Sequence, residues 1–314
     1  MSKIAFVFPG QGSQSLGMLK ELANLYPIIK ETFAQASDVL NYDLFALTQE
    51  GPEAKLNQTE HTQPALLAAS VSIYRLWASL NGPKADYLAG HSLGEYSALV
   101  CAGILPFADA IKLVELRGQL MQQAVPAGEG AMSAIIGLSD EKIAEACDIA
   151  AENEIVSPVN YNSPGQVVIA GNKQAVERAN ILCKEAGAKR ALLLPVSVPS
   201  HCLLMKPIAE IFKSALEKIS LNSPLIPVIN NVDVTMLTES KSIQDALVRQ
   251  LYNPVKWSQS MQFLAEQGVT QLIEMGPGKV LTGLAKRIDE RLESLAVNTP
   301  DSLQTALAKS IESI

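Results

Sequence analysis

Residues 90–94 read Gly-His-Ser-Leu-Gly, behind a short apolar run over 87–90 and ahead of a helix-forming stretch from Leu93 to Ala102. No other feature constrains the fold as strongly. A serine with a glycine two residues away on either side marks a tight, strained strand-to-helix turn that lifts the hydroxyl to the mouth of a sheet. An ordinary surface turn is the competing reading, and context decides against it. Lys3 to Phe8 is a second strand candidate closed by Pro9 and Gly10, and helical periodicity runs over Gly17–Leu40, Pro64–Leu80 and Pro106–Val125. Pro64 is expected in a first helical turn. Strands alternating with helices imply an α/β fold with a parallel sheet.

From residue 127 the order changes. Gly130–Leu138 reads as strand, Ser139–Asn153 as helix, Ile155–Asn160 and Gln166–Gly171 as strands, Lys173–Gly187 as helix and Ala188–Val196 as strand. That βαββαβ order is the ferredoxin-like unit, complete in about seventy residues. After Pro199 the helix and strand alternation resumes through Val228, Leu272 and Met275. The expected organisation is a large domain of residues 1–126 and 198–314 with a ferredoxin-like small domain, 127–197, inserted in it.

Composition removes several function classes. The 314 residues are 48% hydrophobic, enough to fill a sizeable core, and 25 Lys and Arg against 32 Asp and Glu give a net charge of -7. A chain of that sign does not attract nucleic acid or an anionic membrane surface. Cys101, Cys147, Cys183 and Cys202 are scattered without a CxxC pair, as expected of reduced thiols. No apolar run approaches the roughly 18 residues of a membrane span, and the N-terminal run is too short for a signal peptide. A cytoplasmic location is expected, with no metal and no bound cofactor.

A serine hydroxyl needs a base, and His61, His91 and His201 are the candidates. His91 adjoins Ser92, where consecutive side chains diverge, and suits a structural hydrogen bond. His61 lies in a polar stretch read as a loop ahead of a helix. His201 follows Pro-Val-Ser-Val-Pro-Ser, a loop leaving a strand at the sheet edge, and is the expected base. Acyl chemistry also needs oxyanion donors. The amide of Leu93, next after the serine, supplies one, and the amide of Gln11, between Gly10 and Gly12 behind the first strand, supplies the other. A phosphate-loop reading of that glycine pair fails on spacing, since Ser15 stands where a third glycine belongs.

Arg117 falls on the apolar face formed by Ala110, Leu113, Val114, Leu120 and Met121. A guanidinium there requires a carboxylate. Two partners remain open: a substrate carboxylate, or an internal ion pair with Glu95, which the residues taken alone slightly favour.

The motifs GQGSQ, GHSLGEYSAL, LVELRG, NYNSPGQVVIAG, VSVPSH, RQLYNPVKW and EMGPGKVLTGL, in this order, closely resemble the bacterial malonyl-CoA:acyl carrier protein transacylase family over nearly the whole chain. The resemblance implies an α/β-hydrolase-like large domain with a ferredoxin-like insertion. It also implies ping-pong transfer of malonyl from coenzyme A to the phosphopantetheine thiol of acyl carrier protein, in fatty acid biosynthesis, through a malonyl-serine intermediate. By motif, Ser92 would be the nucleophile, His201 the base, the Gln11 and Leu93 amides the oxyanion hole, and Arg117 the clamp for the malonyl carboxylate. A backbone carbonyl near Gln250 would orient the histidine. The partners implied are malonyl-CoA and acyl carrier protein, with the enzyme a monomer. Many relatives place phenylalanine before the histidine where this chain has Ser200, which bears on selectivity against an α-methyl group. Lys189, Arg190, Lys286 and Arg287 are candidates for docking an acidic carrier. A serine thioesterase on the same scaffold, delivering water instead of a thiol, is the alternative.

Overall fold

The computed structural model describes residues 3–196 and 198–312. Its first sheet has five strands: β1 (Lys3–Phe8), β2 (Tyr87–Gly90), β7 (Val228–Ile229), β8 (Val269–Met275) and β9 (Glu293–Val297), in the order β7-β2-β1-β8-β9. Every adjacent pair is parallel. The central strands are buried on both faces, which is why they read as continuous apolar runs without alternation. One large apolar cluster packs Phe6 and Phe8 against the helices Pro27–Leu40, Thr59–Ser79 and Phe107–Ala124. A second packs Ala5, Val7 and Leu272 against Trp257–Glu266 and Val280–Ile288.

The second sheet is antiparallel, with β3 (Gly130–Ile136), β4 (Val156–Ser163), β5 (Gln166–Asn172) and β6 (Arg190–Leu193) in the order β4-β5-β3-β6. The helices Asp140–Ala151 and Lys173–Glu185 cover one face through Ile143, Cys147, Val176 and Ala179. Strand order and helix placement are those of the ferredoxin-like unit. The opposite face, with Met132, Val159, Val168 and Ala170, packs around Cys202. Edge strand β4 is stitched to the segment between β7 and β8, because Tyr161 N–H donates to Val255 O at 3.0 Å and Val255 N–H to Val159 O at 2.8 Å.

Several expectations need correction. Pro64 is not in a first turn: the helix starts at Thr59, and Pro64 lies inside it. His61 accordingly sits on that helix and not in a loop, where its Nδ1 meets Tyr42 Oη at 3.2 Å. Periodicity over Gly17–Leu40 resolves into Lys20–Leu25 and Pro27–Leu40, since Pro27 has no N–H to continue the first helix and is well placed to start a second. The strand expected over 188–196 is only the four residues of β6. Its expected end at 197 as a domain boundary falls on Ser197, outside the described residues. Among the described residues, no helix is long and apolar enough to cross a membrane.

Candidate active site

Strand β2 ends at Gly90, and the helix Leu93–Cys101 begins three residues later, so Ser92 occupies the junction at φ 52° and ψ -108°. Non-glycine residues avoid this region, and the surroundings must hold it there. Gly94 lets the helix approach β1, because a Cβ at that position would fall on the carbonyl oxygen of Phe8. Asn231 clamps the turn from the other side: its Nδ2 donates to Gly90 O at 2.7 Å and its Oδ1 accepts from Ser92 N–H at 2.8 Å.

His201 reaches Ser92 from the loop after β6. Its Nε2 lies 2.7 Å from Ser92 Oγ and its Nδ1 2.6 Å from Gln250 O. A carbonyl oxygen only accepts, so Nδ1 carries the proton and Nε2 is free to accept from the serine hydroxyl. Burial first, and then the Arg117 guanidinium, hold the imidazole down to about 3, leaving it neutral. Among the described residues no carboxylate completes this pair; the main-chain carbonyl of Gln250 takes the orienting position.

Arg117 is fully buried and projects from the helix Phe107–Ala124 toward Ser92. Nη1 donates to Gln63 Oε1 at 2.8 Å, and Nη2 donates to Gln250 Oε1 at 3.0 Å and lies 3.4 Å from Ser92 Oγ. The guanidinium also stands 5.3 Å from the centre of the Tyr96 ring. Among the described residues no carboxylate lies within ion-pair distance of it, so the internal pair with Glu95 is not formed. Glu95 instead accepts from Gln250 Nε2 at 2.7 Å and Asn231 N–H at 3.1 Å.

A cavity of about 210 Å³ opens over these groups, lined by Gln11, Ser92, Leu93, Arg117, Ser200 and His201 together with residues of the antiparallel sheet such as Met132 and Asn160. Leu93 is the first residue of its helix, where an N–H has no intrahelical acceptor and the helix dipole is positive. Gln11 is anchored from its side chain, whose Oε1 accepts from Thr59 Oγ1 at 2.5 Å. His91 lines the same cavity but spends its Nε2 on Asn162 Oδ1 at 2.8 Å, the structural contact expected of it.

The sequence-derived site residues Gln11, Ser92, Leu93, Arg117, His201 and Gln250 thus come together. Sequence reasoning missed Gln63, Asn231 and the side chain of Gln250. A single amide in a polar stretch carries no signal of its own. Gln63 meets Arg117 across 54 positions, Asn231 meets Ser92 across 139, and Gln250 meets Glu95 across 155.

The chain's neighbours among known proteins fit this geometry. The family model for the acyl transferase domain matches residues 5–299. The chain is 62% identical to the malonyl CoA-acyl carrier protein transacylase of Escherichia coli K12 over 307 residues, which cover 98% of this chain and 99% of that protein. It belongs to the malonyl CoA-acyl carrier protein transacylase family. Its acyltransferase fold superposes on the crystal structure of an acyl carrier protein S-malonyltransferase from Vibrio cholerae O1 biovar eltor with a TM-score of 0.95, at 66% identity over 97% of this chain and 99% of that one. A malonyl-transacylase solved in complex with a type II PKS acyl-carrier protein gives 0.97, at 61% identity over 98% and 100%.

Proposed function

We propose that this acyltransferase moves a malonyl group from coenzyme A to the phosphopantetheine thiol of acyl carrier protein, as a step of fatty acid biosynthesis. One observation carries the reading: a buried guanidinium with no carboxylate partner among the described residues lines the cavity beside a serine already paired with a histidine. Such a cation is costly to bury alone and favours an acyl group that brings its own carboxylate.

The steps follow from the positions. His201 Nε2 takes the Ser92 proton as Oγ attacks the thioester carbonyl, and the Gln11 and Leu93 amides hold the tetrahedral oxyanion. The C–S bond breaks, His201 returns its proton to the departing thiolate, and a malonyl ester remains on Ser92. The carrier thiol then gives its proton to the same nitrogen, attacks the ester carbonyl and takes the malonyl group, and the proton returns to Ser92 Oγ. Gln250 O stabilises the imidazolium formed in each half-reaction. Residues 1–126 and 198–314 act in this reading as the catalytic domain, with 127–197 as an inserted wall of the cleft. The enzyme works as a cytoplasmic monomer with no bound cofactor.

Intact-mass measurement after mixing with malonyl-CoA tests the proposal. The chain should gain one malonyl group, mapped to Ser92, and the Ser92→Ala variant none. A malonyl adduct mapped to any other residue, Cys202 included, would overturn the assignment. Rapid loss of the adduct to water without carrier would return the thioesterase alternative.

A further inference from the structure

Arg117 is held on two sides by uncharged oxygens. Gln63 Oε1 takes one NH₂ group at 2.8 Å and Gln250 Oε1 the other at 3.0 Å. Gln250 has a second task, because its Nε2 donates to the buried carboxylate of Glu95 at 2.7 Å. One amide therefore bridges a buried acid and a buried cation, touching the first with its nitrogen and the second with its oxygen. Asn231 N–H holds the same Glu95 oxygen from behind at 3.1 Å.

We infer that the neutral amides of Gln63 and Gln250 determine acyl specificity, by aiming the Arg117 guanidinium at the acyl site while leaving its charge uncompensated for a carboxylated acyl group. The inference deepens the transferase reading and rests on it. A carboxylate in either amide's place would form a charge-assisted pair with Arg117, stronger than an amide contact, and an incoming malonyl carboxylate would have to compete with it. Burial raises the Glu95 carboxyl to about 7, opposed by its bonds to Gln250 and Asn231 and then by Arg117, as suits an acid one amide removed from the cation. Gln63 and Gln250 are positioning residues here, since they act through Arg117.

Gln63→Glu exchanges an amide for a carboxylate at almost unchanged volume and leaves the carbonyl that orients His201 untouched. Acylation of Ser92 by malonyl-CoA and by acetyl-CoA is measured in parallel, as kcat/KM. Malonyl acylation should fall about 30-fold or more, the loss expected for a displaced charge-assisted contact, while acetyl acylation stays level or rises. Gln250→Glu should shift the ratio in the same direction. Gln63→Leu, which removes the acceptor without adding charge, should lose less malonyl activity than Gln63→Glu. Labelling of Ser92 by a neutral sulfonyl fluoride should keep its wild-type rate in Gln63→Glu, showing the serine and histidine intact. An unchanged malonyl-to-acetyl ratio in both glutamate variants overturns the inference, as does an equal malonyl loss in Gln63→Leu and Gln63→Glu. Failure of the wild type to form a malonyl adduct would instead overturn the transferase reading itself.

Discussion

His201 must be neutral to take a proton, and its surroundings keep it so. With the folded value near 3 and the unfolded one near 6.5, the unfolded chain binds the extra proton between those limits. Stability contributed by this residue therefore rises with pH across that window and is lost as pH falls through it. The stability advantage of wild type over His201→Ala, followed by denaturant unfolding, should grow as pH rises from about 4 to 6.5, by up to about 1.4 kcal/mol per pH unit. Ser92 acylation should likewise show no acid limb between pH 6 and 7; an apparent pKa there in the free enzyme would contradict the buried neutral imidazole. Replacing His201 with alanine should slow acylation by roughly a thousandfold or more. Arg117→Ala should cost malonyl-CoA about 2 to 3 kcal/mol in kcat/KM and leave acetyl-CoA nearly unaffected, with Arg117→Lys recovering only part because an ammonium lacks the fork. Equal losses for both substrates with a large fall in melting temperature would make Arg117 a structural residue.

Elements bring these side chains together by close approach of backbones. Gly118, next to Arg117, sits where the helix Phe107–Ala124 crosses the first turn of Thr59–Ser79, and a Cβ there would lie 2.5 Å from the Cα of Glu60. Gly118→Ala should push the helices apart, cost about 1–3 kcal/mol in unfolding free energy, and raise KM for malonyl-CoA as Gln63 is drawn off Arg117. A variant with wild-type stability and kinetics would show that the crossing tolerates the extra carbon. Much of this scale is legible in the sequence. Glycines at 90 and 94 imply the elbow, and an arginine among Val114, Leu120 and Met121 implies a buried cation. What stays hidden is the amide set around it: Gln63, Asn231 and Gln250 have no periodicity or spacing that marks them, and their meaning arises only when three separate segments converge. Pro64 misleads for a related reason, since tertiary packing carries its helix five residues upstream of the proline.

At the scale of the molecule, the two sheets put candidate docking charges on different bodies. Lys189 and Arg190 are exposed at the start of β6, whereas Lys286 and Arg287 are exposed at the end of the helix Val280–Ile288 beside the parallel sheet. An acidic carrier meeting a chain of net charge -7 must find a local basic surface, whose field is screened beyond about 10 Å at 0.1 M salt. Carrier affinity should fall as salt rises, and charge reversal of one pair should weaken it more than reversal of the other. Affinity insensitive to salt, or to both reversals, would place docking elsewhere.

The cavity over Ser92, at about 210 Å³, is smaller than the usual pocket for a drug-sized ligand. If transfer runs through Ser92 as proposed, a site of that size admits one thioester end at a time, and donor and acceptor must queue for the same berth. The free enzyme, which should greet malonyl-CoA, can instead be occupied by a carrier with nothing to deliver. The malonylated form can be occupied by a second malonyl-CoA with no vacant serine to receive it. Each partner in excess would then stall the half-reaction that belongs to the other, and throughput would peak where the two are matched in supply.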